Sequence, residues 1–339
     1  MKDSSDRSEI EGRCIKLVEE LGLGRADDVK AVEPLSGGVA SDIARVELGL
    51  RQLCVKFALG KLRVAADWYA PVRRNKAEYA WLEFAQSVET DCVPGLYGCS
   101  ETLHGFAMDY LSGSDVYLWK SAMLDGVSRG EEGESVATIL GRIHAASTQP
   151  GFERAPFDNR DDFHAIRLEP YLSFTAKRHA CIADRLNDLV HRFHKADIAL
   201  VHGDVSPKNI LIRSGVPVFL DAECATMGDP AFDVAFCLNH LIIKALHLPV
   251  SRSALLDSVL AFWNAYAKQV SWEDAGSVDR RVAELLPALM LGRVDGKSPV
   301  EYLDEEERST LRDIAIALLV DPPVSVDDLV AILRTERVK

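Results

Sequence analysis

Residues 201–209 read Val-His-Gly-Asp-Val-Ser-Pro-Lys-Asn, and the stretch begins where an apolar pair typical of a buried strand ends. The chain then returns through two short apolar runs joined by a Val-Pro turn, and the second run ends at Asp221. The pattern predicts a polar loop and two strands that present Asp204, Asn209 and Asp221. Carboxylate oxygens can accept a proton from a hydroxyl, and carboxylate and amide oxygens bind hard cations such as Mg²⁺.

The order of these residues resembles the catalytic segment of protein kinases, where an Asp, an Asn five positions later and a metal-binding Asp follow one another. His-Gly-Asp at 202–204 replaces His-Arg-Asp, so the chain resembles the aminoglycoside phosphotransferase and choline kinase family, whose members phosphorylate small molecules. The resemblance implies that Asp204 is the catalytic base. It also implies that Asn209 and Asp221 bind Mg²⁺, which bridges the phosphates of ATP.

Two positions depart from the protein-kinase pattern. Ser206 stands where protein kinases often have a lysine that steadies the transferred phosphate, so it could donate one neutral hydrogen bond but no charge. Glu223 adds a second carboxylate two residues after Asp221, on the same side of an extended segment. Glu223 could bind metal or form a structural salt bridge, and the sequence favours neither role.

Earlier in the chain, a strand pattern, a glycine turn and a second strand pattern follow one another. The turn contains Ser36, Gly37 and Gly38, whose backbone can approach phosphate oxygens closely. Taken alone, Ser-Gly-Gly is more often an ordinary hairpin turn. The family resemblance assigns these three residues to nucleotide binding.

Lys56 lies within an alternating strand pattern at 53–58, between apolar neighbours. Such a lysine usually points into solvent, but in the kinase order of elements it matches the lysine that contacts the α- and β-phosphates. A helix predicted at 75–86 places Glu78 on the face that also carries its apolar residues. We therefore expect Glu78 to pair with Lys56, with a surface carboxylate as the alternative.

Met108, Asp109 and Tyr110 end an apolar strand and precede a glycine break. The resemblance makes this segment the hinge between two lobes, where the backbone would hydrogen-bond adenine. The predicted division is therefore an N-terminal lobe at 1–108 and a C-terminal lobe at 109–339.

Two further residues receive structural roles. Residues 228–233 read Gly-Asp-Pro-Ala-Phe-Asp, similar to the family's Gly-Asp-Pro-x-x-Asp segment, which implies that Asp233 holds the catalytic loop by hydrogen bonds. His202 is interpreted as structural too, because a His at the start of a catalytic loop more often bonds backbone than transfers protons.

A polar cluster lies between two predicted C-terminal helices. Arg293, Asp295 and Lys297 occur in a glycine-containing segment at 291–299. This segment could bind the acceptor substrate, because small-molecule kinases of this group usually do so with C-terminal helices. A solvated connection is the alternative interpretation.

The bulk composition sets limits on the class of protein. A chain of 339 residues is long enough for two lobes, and a net charge of −13 argues against a nucleic-acid-binding surface. Seven cysteines without a Cys-x-x-Cys pair suggest reduced thiols and a cytoplasmic protein. No apolar run is long enough to span a bilayer, so no membrane partner is expected, and the chain is expected to be a monomer or homodimer.

Together these features predict an α+β, bilobal protein-kinase-like fold with a small antiparallel β lobe and a larger, mainly helical lobe. The expected function is transfer of the γ-phosphoryl group of ATP to a hydroxyl of a small molecule, with Mg²⁺ as cofactor. A catalytically silent nucleotide-binding protein of the same fold is the alternative. Aminoglycosides, amino alcohols and sugars all suit the same phosphate machinery, so the sequence leaves the acceptor open.

Overall fold

The computed structural model describes residues 2–35, 41–61, 71–72, 74–126 and 130–335, with side chains from residue 9 onward. The predicted nucleotide-binding turn, Ser36, Gly37 and Gly38, lies outside the described residues. The described residues form a small lobe built on one antiparallel sheet and a larger lobe built mainly of helices.

The small lobe contains a five-stranded antiparallel sheet with the order β1-β2-β3-β5-β4. Its strands are β1 (Val29–Pro34), β2 (Ser41–Leu48), β3 (Arg51–Ala58), β4 (Leu96–Ser100) and β5 (Gly105–Asp109). Strand β3 is the middle strand, and its last six residues are all buried because helices cover both faces of the sheet. Lys56 is consequently drawn into the interior.

Two helices cover the sheet, α1 (Lys2–Glu20) on one face and α2 (Arg74–Val88) on the other. Leu53, Val55 and Phe57 belong to the apolar cluster that includes α1, and Cys54 belongs to the cluster that includes α2. Because side chains alternate along a strand, Lys56 shares the face of Cys54 and points toward α2. This alternation brings Lys56 to the helix that carries Glu78.

The catalytic segment lies on two small antiparallel sheets of the large lobe. One has the order β6-β8-β9 and the other pairs β7 with β10. These strands are β6 (Val116–Leu118), β7 (Ala199–Val201), β8 (Ile210–Arg213), β9 (Val216–Phe219) and β10 (Thr226–Gly228). The polar loop joins β7 to β8, and Asp221 follows β9 by two residues, so the predicted strand-loop-strand order is present.

α-Helices form most of the remaining described part of the large lobe. They are α3 (Trp119–Leu124), α4 (Gly130–Ser147), α5 (Arg160–Phe163), α6 (Phe174–Ala176), α7 (Ala183–Lys195), α8 (Ala231–His247), α9 (Arg252–Ala267), α10 (Ala275–Asp295), α11 (Glu305–Val320) and α12 (Val326–Thr335). Helix α8 is central, because all of its residues except His247 are buried. Its burial on every side explains why its sequence is apolar almost throughout.

The segment at 151–165 contains a 3₁₀ turn at Ala155–Phe157 and then α5. A π-helix, His164–Ser173, follows directly. Pro170 lies inside it and has no N–H to donate, which disfavours the regular α-helical bonding pattern. The π-helix matters because it carries a residue of the candidate site, Arg167.

All seven cysteines are free, and five of them are buried. Cys99 in β4 and Cys181 in the larger lobe are exposed. Burial raises the pKa of the Cys14, Cys54 and Cys92 thiols to about 12. In the described part of the chain, no single helix is both long and apolar enough to cross a membrane, although α8 and the segment Pro249–Ala267 pass that test jointly as a pair bent by 118°.

Candidate active site

The loop between β7 and β8 is fixed by one buried carboxylate. Asp233, near the start of α8, accepts hydrogen bonds from the backbone N–H groups of His202 at 2.6 Å and Gly203 at 2.8 Å. His144 contacts the same carboxylate at 3.2 Å, and its other ring nitrogen lies 2.8 Å from the hydroxyl of Tyr266. Asp233 therefore has the geometry of the structural role predicted for it.

The His202 ring links two parts of the site by backbone bonds. Its Nδ1 accepts from the N–H of Asp204 at 3.1 Å, and its Nε2 lies 3.1 Å from the carbonyl of Leu220, just before Asp221. Burial lowers the pKa of His202, so the ring is neutral and can accept at one nitrogen while donating at the other. This bonding fits the structural interpretation of His202.

Gly203 has a backbone conformation that few other residues adopt. Its φ is +79°, and a Cβ placed on it would lie 2.7 Å from the Cβ of Cys224. Both the left-handed backbone and the close approach require glycine. The glycine at position 203, where the His-Arg-Asp pattern has arginine, is therefore explained by steric constraints in this fold.

Asp204 is buried between two cations that lie on different elements. Its carboxylate is 2.8 Å from the guanidinium of Arg167 and 3.0 Å from the ammonium of Lys208. Burial alone would raise the pKa of Asp204, but Arg167 and Lys208 outweigh it and hold the pKa below its usual range. Asp204 is therefore anionic near neutral pH.

Lys56 bridges two carboxylates from separate lobes. Its ammonium is 2.7 Å from Glu78, which is only 2 % exposed, and it also contacts Asp221 directly. Burial raises the pKa of Glu78 to about 7 despite the opposing charge of Lys56. For Asp221, burial is outweighed by Lys56 and Lys208, and its pKa is lowered. The structure thus brings together three residues that the sequence placed in one site.

Asn209 and Ser206 complete the loop. The side-chain amide nitrogen of Asn209 donates to the carbonyl of Asp204 at 3.1 Å, which leaves the amide oxygen available to a ligand. Ser206 is fully buried, and in the described part of the chain its hydroxyl has no hydrogen-bond partner. Buried hydroxyls are normally hydrogen-bonded, so the hydroxyl of Ser206 is suited to form a hydrogen bond with a bound ligand. Within the described ranges, no group of three or more His, Cys, Asp or Glu side chains has the geometry of a metal site.

Glu223 forms a buried salt bridge, one of the two roles that the sequence left open. Its carboxylate accepts from Nε of Arg74 at 2.9 Å, and both side chains are almost fully buried. Arg74 also donates to the carbonyls of Pro71 and Leu59. Arg74 therefore ties the start of α2 to the segment after Asp221.

Some polar groups of the predicted hinge already form hydrogen bonds within the small lobe. The N–H of Asp109 donates to the carbonyl of Gly95 at 2.8 Å, and the N–H of Tyr110 donates to Gln52 at 3.3 Å. The Asp109 carboxylate accepts from Tyr97 at 2.6 Å, and Met108 pairs with strands on both sides. A contact with adenine would therefore use backbone groups other than these two N–H donors.

The polar cluster at 291–299 differs from the expected glycine loop, because Arg293 and Asp295 lie in the last turn of α10. Asp295 is buried and accepts from Arg312 at 2.7 and 2.9 Å, with His179 at 2.8 Å. Lys297 pairs with Glu169 on the π-helix at 2.7 Å. The solvated-connection interpretation is therefore wrong for Arg293 and Asp295, because long-range partners bury them.

Sequence reasoning missed two cations of the site, Arg167 and Arg74. Both pair with carboxylates far away in the chain, and no local motif marks either of them. Their partners could be found only from the packing of the π-helix against the catalytic loop and of α2 against the segment after β9.

We expect the change Arg167→Met to move the acidic limb of the pH profile of kcat/KM to higher pH by about one unit or more. Arg167 stabilises the carboxylate form of Asp204, so its removal raises the pKa of Asp204 and protonates it at a higher pH. The measurement is kcat/KM from pH 8 down to the lowest pH at which the protein stays folded, because the lowered pKa of Asp204 places the wild-type limb at acidic pH. Arg154→Met, which breaks an exposed ion pair with Asp197, is the control. An unshifted limb in an active Arg167→Met enzyme would contradict the assignment.

The small antiparallel sheet, the larger helical lobe and the Lys56–Glu78 pair between strand and helix define a protein-kinase-like fold of the kind found in small-molecule kinases. A model of the phosphotransferase enzyme family matches residues 31–268, and the chain belongs to that family. Family and fold class agree with the sequence-based predictions, which are confirmed.

Known proteins resemble the chain either locally in sequence or throughout in fold. Methylthioribose kinase of Citrobacter koseri is 29% identical over 90 residues, which is 24% of this chain and 23% of that protein. Methylthioribose kinase of Yersinia pestis is 27% identical over 117 residues, or 32% and 28% of the two chains. The chain spans less than a third of the length of these curated relatives.

Solved structures share the fold over nearly the whole chain. A choline/ethanolamine kinase family protein from Mesorhizobium loti superimposes with a TM-score of 0.53 at 16% identity, covering 97% of this chain and 99% of that one. Amicoumacin kinase in complex with AMP-PNP and Ca²⁺ gives a TM-score of 0.57 at 12% identity, covering 94% and 97%. At these identities the similarity establishes the fold.

Proposed function

We propose that this protein is an ATP- and Mg²⁺-dependent phosphotransferase that transfers the γ-phosphoryl group to a hydroxyl of a small molecule. One observation carries the proposal. Lys56 and Asp221 are in contact although 165 residues separate them. In the loop between β7 and β8, Lys208 pairs with Asp204. The charges of the two pairs also act on each other, Asp221 on Asp204 and Lys208 on Asp221, so an ammonium, a carboxylate that could bind metal and a candidate base lie close together. Phosphoryl transfer needs these groups and little else, because its catalysis consists of positioning and charge stabilisation.

The nucleotide is assigned to the cleft between the lobes by the family resemblance. Lys56 would contact the α- and β-phosphates, with Glu78 holding the lysine in place. The backbone of the turn at 36–38 would cover the phosphates, and the hinge at 108–110 would contact adenine. We also propose that the lobes divide between residues 108 and 109.

Asn209 and Asp221 are the proposed magnesium ligands. Both offer oxygen atoms, which Mg²⁺ prefers, and the side chain of Asp221 is 31% exposed. When bound, Mg²⁺ would neutralise the charge of the phosphates and of the departing ADP. The pairing of Glu223 with Arg74 favours the structural role for Glu223, since a metal ligand here would have to give up that salt bridge.

Asp204 is the proposed catalytic residue. It would accept a hydrogen bond from the acceptor hydroxyl and take its proton as the hydroxyl oxygen bonds to the γ-phosphorus. The bond from that phosphorus to the β-bridging oxygen breaks, ADP leaves, and the proton passes on to water. Because Arg167 and Lys208 lower its pKa, Asp204 is a weak base whose main contribution is orientation. The hydroxyl of Ser206 could donate to the transferred group.

The test is an ADP-release screen with Mg²⁺-ATP and candidate acceptors. Aminoglycosides, macrolides, amino alcohols, homoserine and sugars belong in the panel, and the similarity to methylthioribose kinases adds weight to the sugars. We expect acceptor-dependent ADP release that requires Mg²⁺ and is lost in Asp221→Ala. ATP binding without turnover on any acceptor would instead favour the catalytically silent alternative.

A further inference from the structure

Helix α8 carries two buried polar side chains that have no role in the proposed chemistry. His240 and Lys244 lie one turn apart on this otherwise apolar helix and are 6% and 1% exposed. Arg293 of the neighbouring helix α10 is 7% exposed. Cationic side chains are rarely buried to this extent unless they are paired with an anion.

These side chains lack the partners that burial normally demands. In the described part of the chain, Nε2 of His240 and Nε of Arg293 are buried without a hydrogen-bond partner. The Lys244 ammonium has one long contact, 3.5 Å to the carbonyl of His240, and lies 5.4 Å from the centre of the Tyr302 ring. Several donors are thus held in the interior with too few acceptors.

The charges around His240 are mainly positive. Burial lowers its pKa, and the charges of Arg293, Lys244, Lys208 and Lys120 lower it further. Burial together with Lys120 and Arg293 lowers the pKa of Lys244 to about 7, which the nearby Glu301 only partly offsets.

The nearby carboxylates are already paired. Glu301 contacts Lys120 directly, and Asp295 on α10 is held by Arg312 and His179. In the cluster formed by His240, Lys244 and Arg293, the charge of Arg293 and of the partly protonated Lys244 therefore has no paired carboxylate, while the neutral His240 can act as a hydrogen-bond donor.

This cluster is continuous with the proposed catalytic loop. Lys208, whose charge acts on His240, is the residue that contacts Asp204 at 3.0 Å. On the other side, the guanidinium of Arg167 lies 5.8 Å from the centre of the Phe236 ring, which is 5.6 Å from the His240 ring. In this series of contacts, only Arg167 and Phe236 stand between Asp204 and His240.

Tyr171 contacts both the Phe236 ring and Arg293. Its ring lies 5.6 Å from Phe236, and its hydroxyl accepts from Arg293 at 3.1 Å, which positions the guanidinium. A held guanidinium favours the planar, two-oxygen geometry of a carboxylate or phosphate.

We infer that the acceptor carries an anionic group, a carboxylate or a phosphate, which binds to Arg293, Lys244 and His240 while its hydroxyl lies at Asp204. The inference rests on the proposed kinase function and deepens it, because it names the charge of the substrate. Polycationic acceptors such as aminoglycosides, and choline-like alcohols, would be repelled by the same cluster.

The first arm of the test uses the wild-type protein, two sets of acceptors matched in skeleton and one cationic probe. The sets are glycerol with glycerate and glycerol 3-phosphate, and glucose with gluconate and glucose 6-phosphate; choline is the cationic probe. ADP release gives kcat/KM, and calorimetry with AMP-PNP and Mg²⁺ gives binding without turnover. We expect anionic members to be preferred at least tenfold, and the carboxylate and phosphate members of each set separate the two ligand types.

The second arm uses Arg293→Gln and Lys244→Met, with Arg192→Met as the matched control. Arg192 reaches the same helix α10 from an exposed position, where it pairs with Glu284 at 2.6 Å. Each cluster variant should raise the KM or Kd of the preferred anionic acceptor about tenfold to a hundredfold and leave the KM of ATP unchanged. Arg293→Lys, which keeps the charge, should recover part of the loss.

The outcomes separate this inference from the kinase proposal. Anion binding that Arg293→Gln weakens, but without ADP release, would support the cluster and refute the kinase. ADP release with glycerol, glucose or choline at a kcat/KM equal to that of the anionic members would overturn the inference and keep the kinase. If none of the four anionic probes binds the wild-type protein at millimolar concentration, the inference is also wrong, whatever the fate of the variants.

Discussion

Asp204→Asn is expected to lower kcat by about two to four orders of magnitude, because both the proton acceptor and the charged group that orients the acceptor hydroxyl are lost. The amide cannot take the proton of the acceptor hydroxyl, and it replaces the anion that Arg167 and Lys208 hold in position. The KM of ATP should change little, because the phosphate contacts are assigned to Lys56 and Asp221. Steady-state kinetics with the acceptor found by ADP release measures both values.

Two controls distinguish a loss of catalysis from a loss of folding. Asp197→Asn removes a carboxylate from an exposed ion pair in the same lobe and should leave kcat unchanged. Thermal unfolding should show whether Asp204→Asn leaves Arg167 as an uncompensated buried charge, and Asp204→Asn with Arg167→Met should then recover stability without activity. A folded Asp204→Asn protein with wild-type turnover would remove Asp204 from the mechanism.

Lys56→Met is expected to lower kcat/KM for ATP by about two to three orders of magnitude, which is typical when one preorganised electrostatic group is lost. Lys56 is the charge that holds Glu78 and Asp221 together in this structure, and the proposed contact with the phosphates would be lost as well. The measurement is the rate of ADP release as a function of ATP concentration.

Stability should respond to Lys56→Met in a pH-dependent way. Glu78 already has a pKa of about 7 in the folded protein, and without Lys56 that pKa rises further, because Lys56 is the group that lowers it. The folded state then binds a proton that the unfolded state, with its ordinary carboxylate, releases above about pH 4.5. The fall in Tm relative to wild type should therefore be larger at pH 8.5 than at pH 5.5.

Lys56→Met with Glu78→Gln is the matched control for that effect. The second change removes the buried carboxylate, so it should restore most of the lost Tm at pH 8.5 and none of the activity. A Tm deficit in Lys56→Met that is equal at both pH values would contradict the assignment of the buried charge to Glu78.

The sequence could reveal the fold and the centre of the site because both depend on local order. The spacing of Asp204, Asn209 and Asp221 is set by one loop and two short strands, so a single chain segment carries it. The pairing of Lys56 with Glu78 also follows from local rules, since strand alternation and one helix face aim the two side chains at each other. Family resemblance then supplied the relative placement of the lobes.

Residues on other elements could not be placed in the same way. Arg167 lies on a π-helix, and the spacing of apolar residues does not distinguish a π-helix from an ordinary helix. Arg293 lies in the last turn of a helix, but the glycines near it in the sequence are typical of a loop. One signal was present, because His240 and Lys244 interrupt the apolar sequence of α8 on one helical face. Which cations surround them depends on how α8 and α10 pack, and that information is not local.

The two accessible thiols provide attachment points that the native chain already contains. Cys99 lies on the edge strand of the small lobe and Cys181 lies in the large one, while the other five sulfur atoms are shielded from reagents. A donor and an acceptor fluorophore can therefore be introduced without engineering a cysteine-free background. Energy transfer between them would report the separation of the lobes during a nucleotide titration.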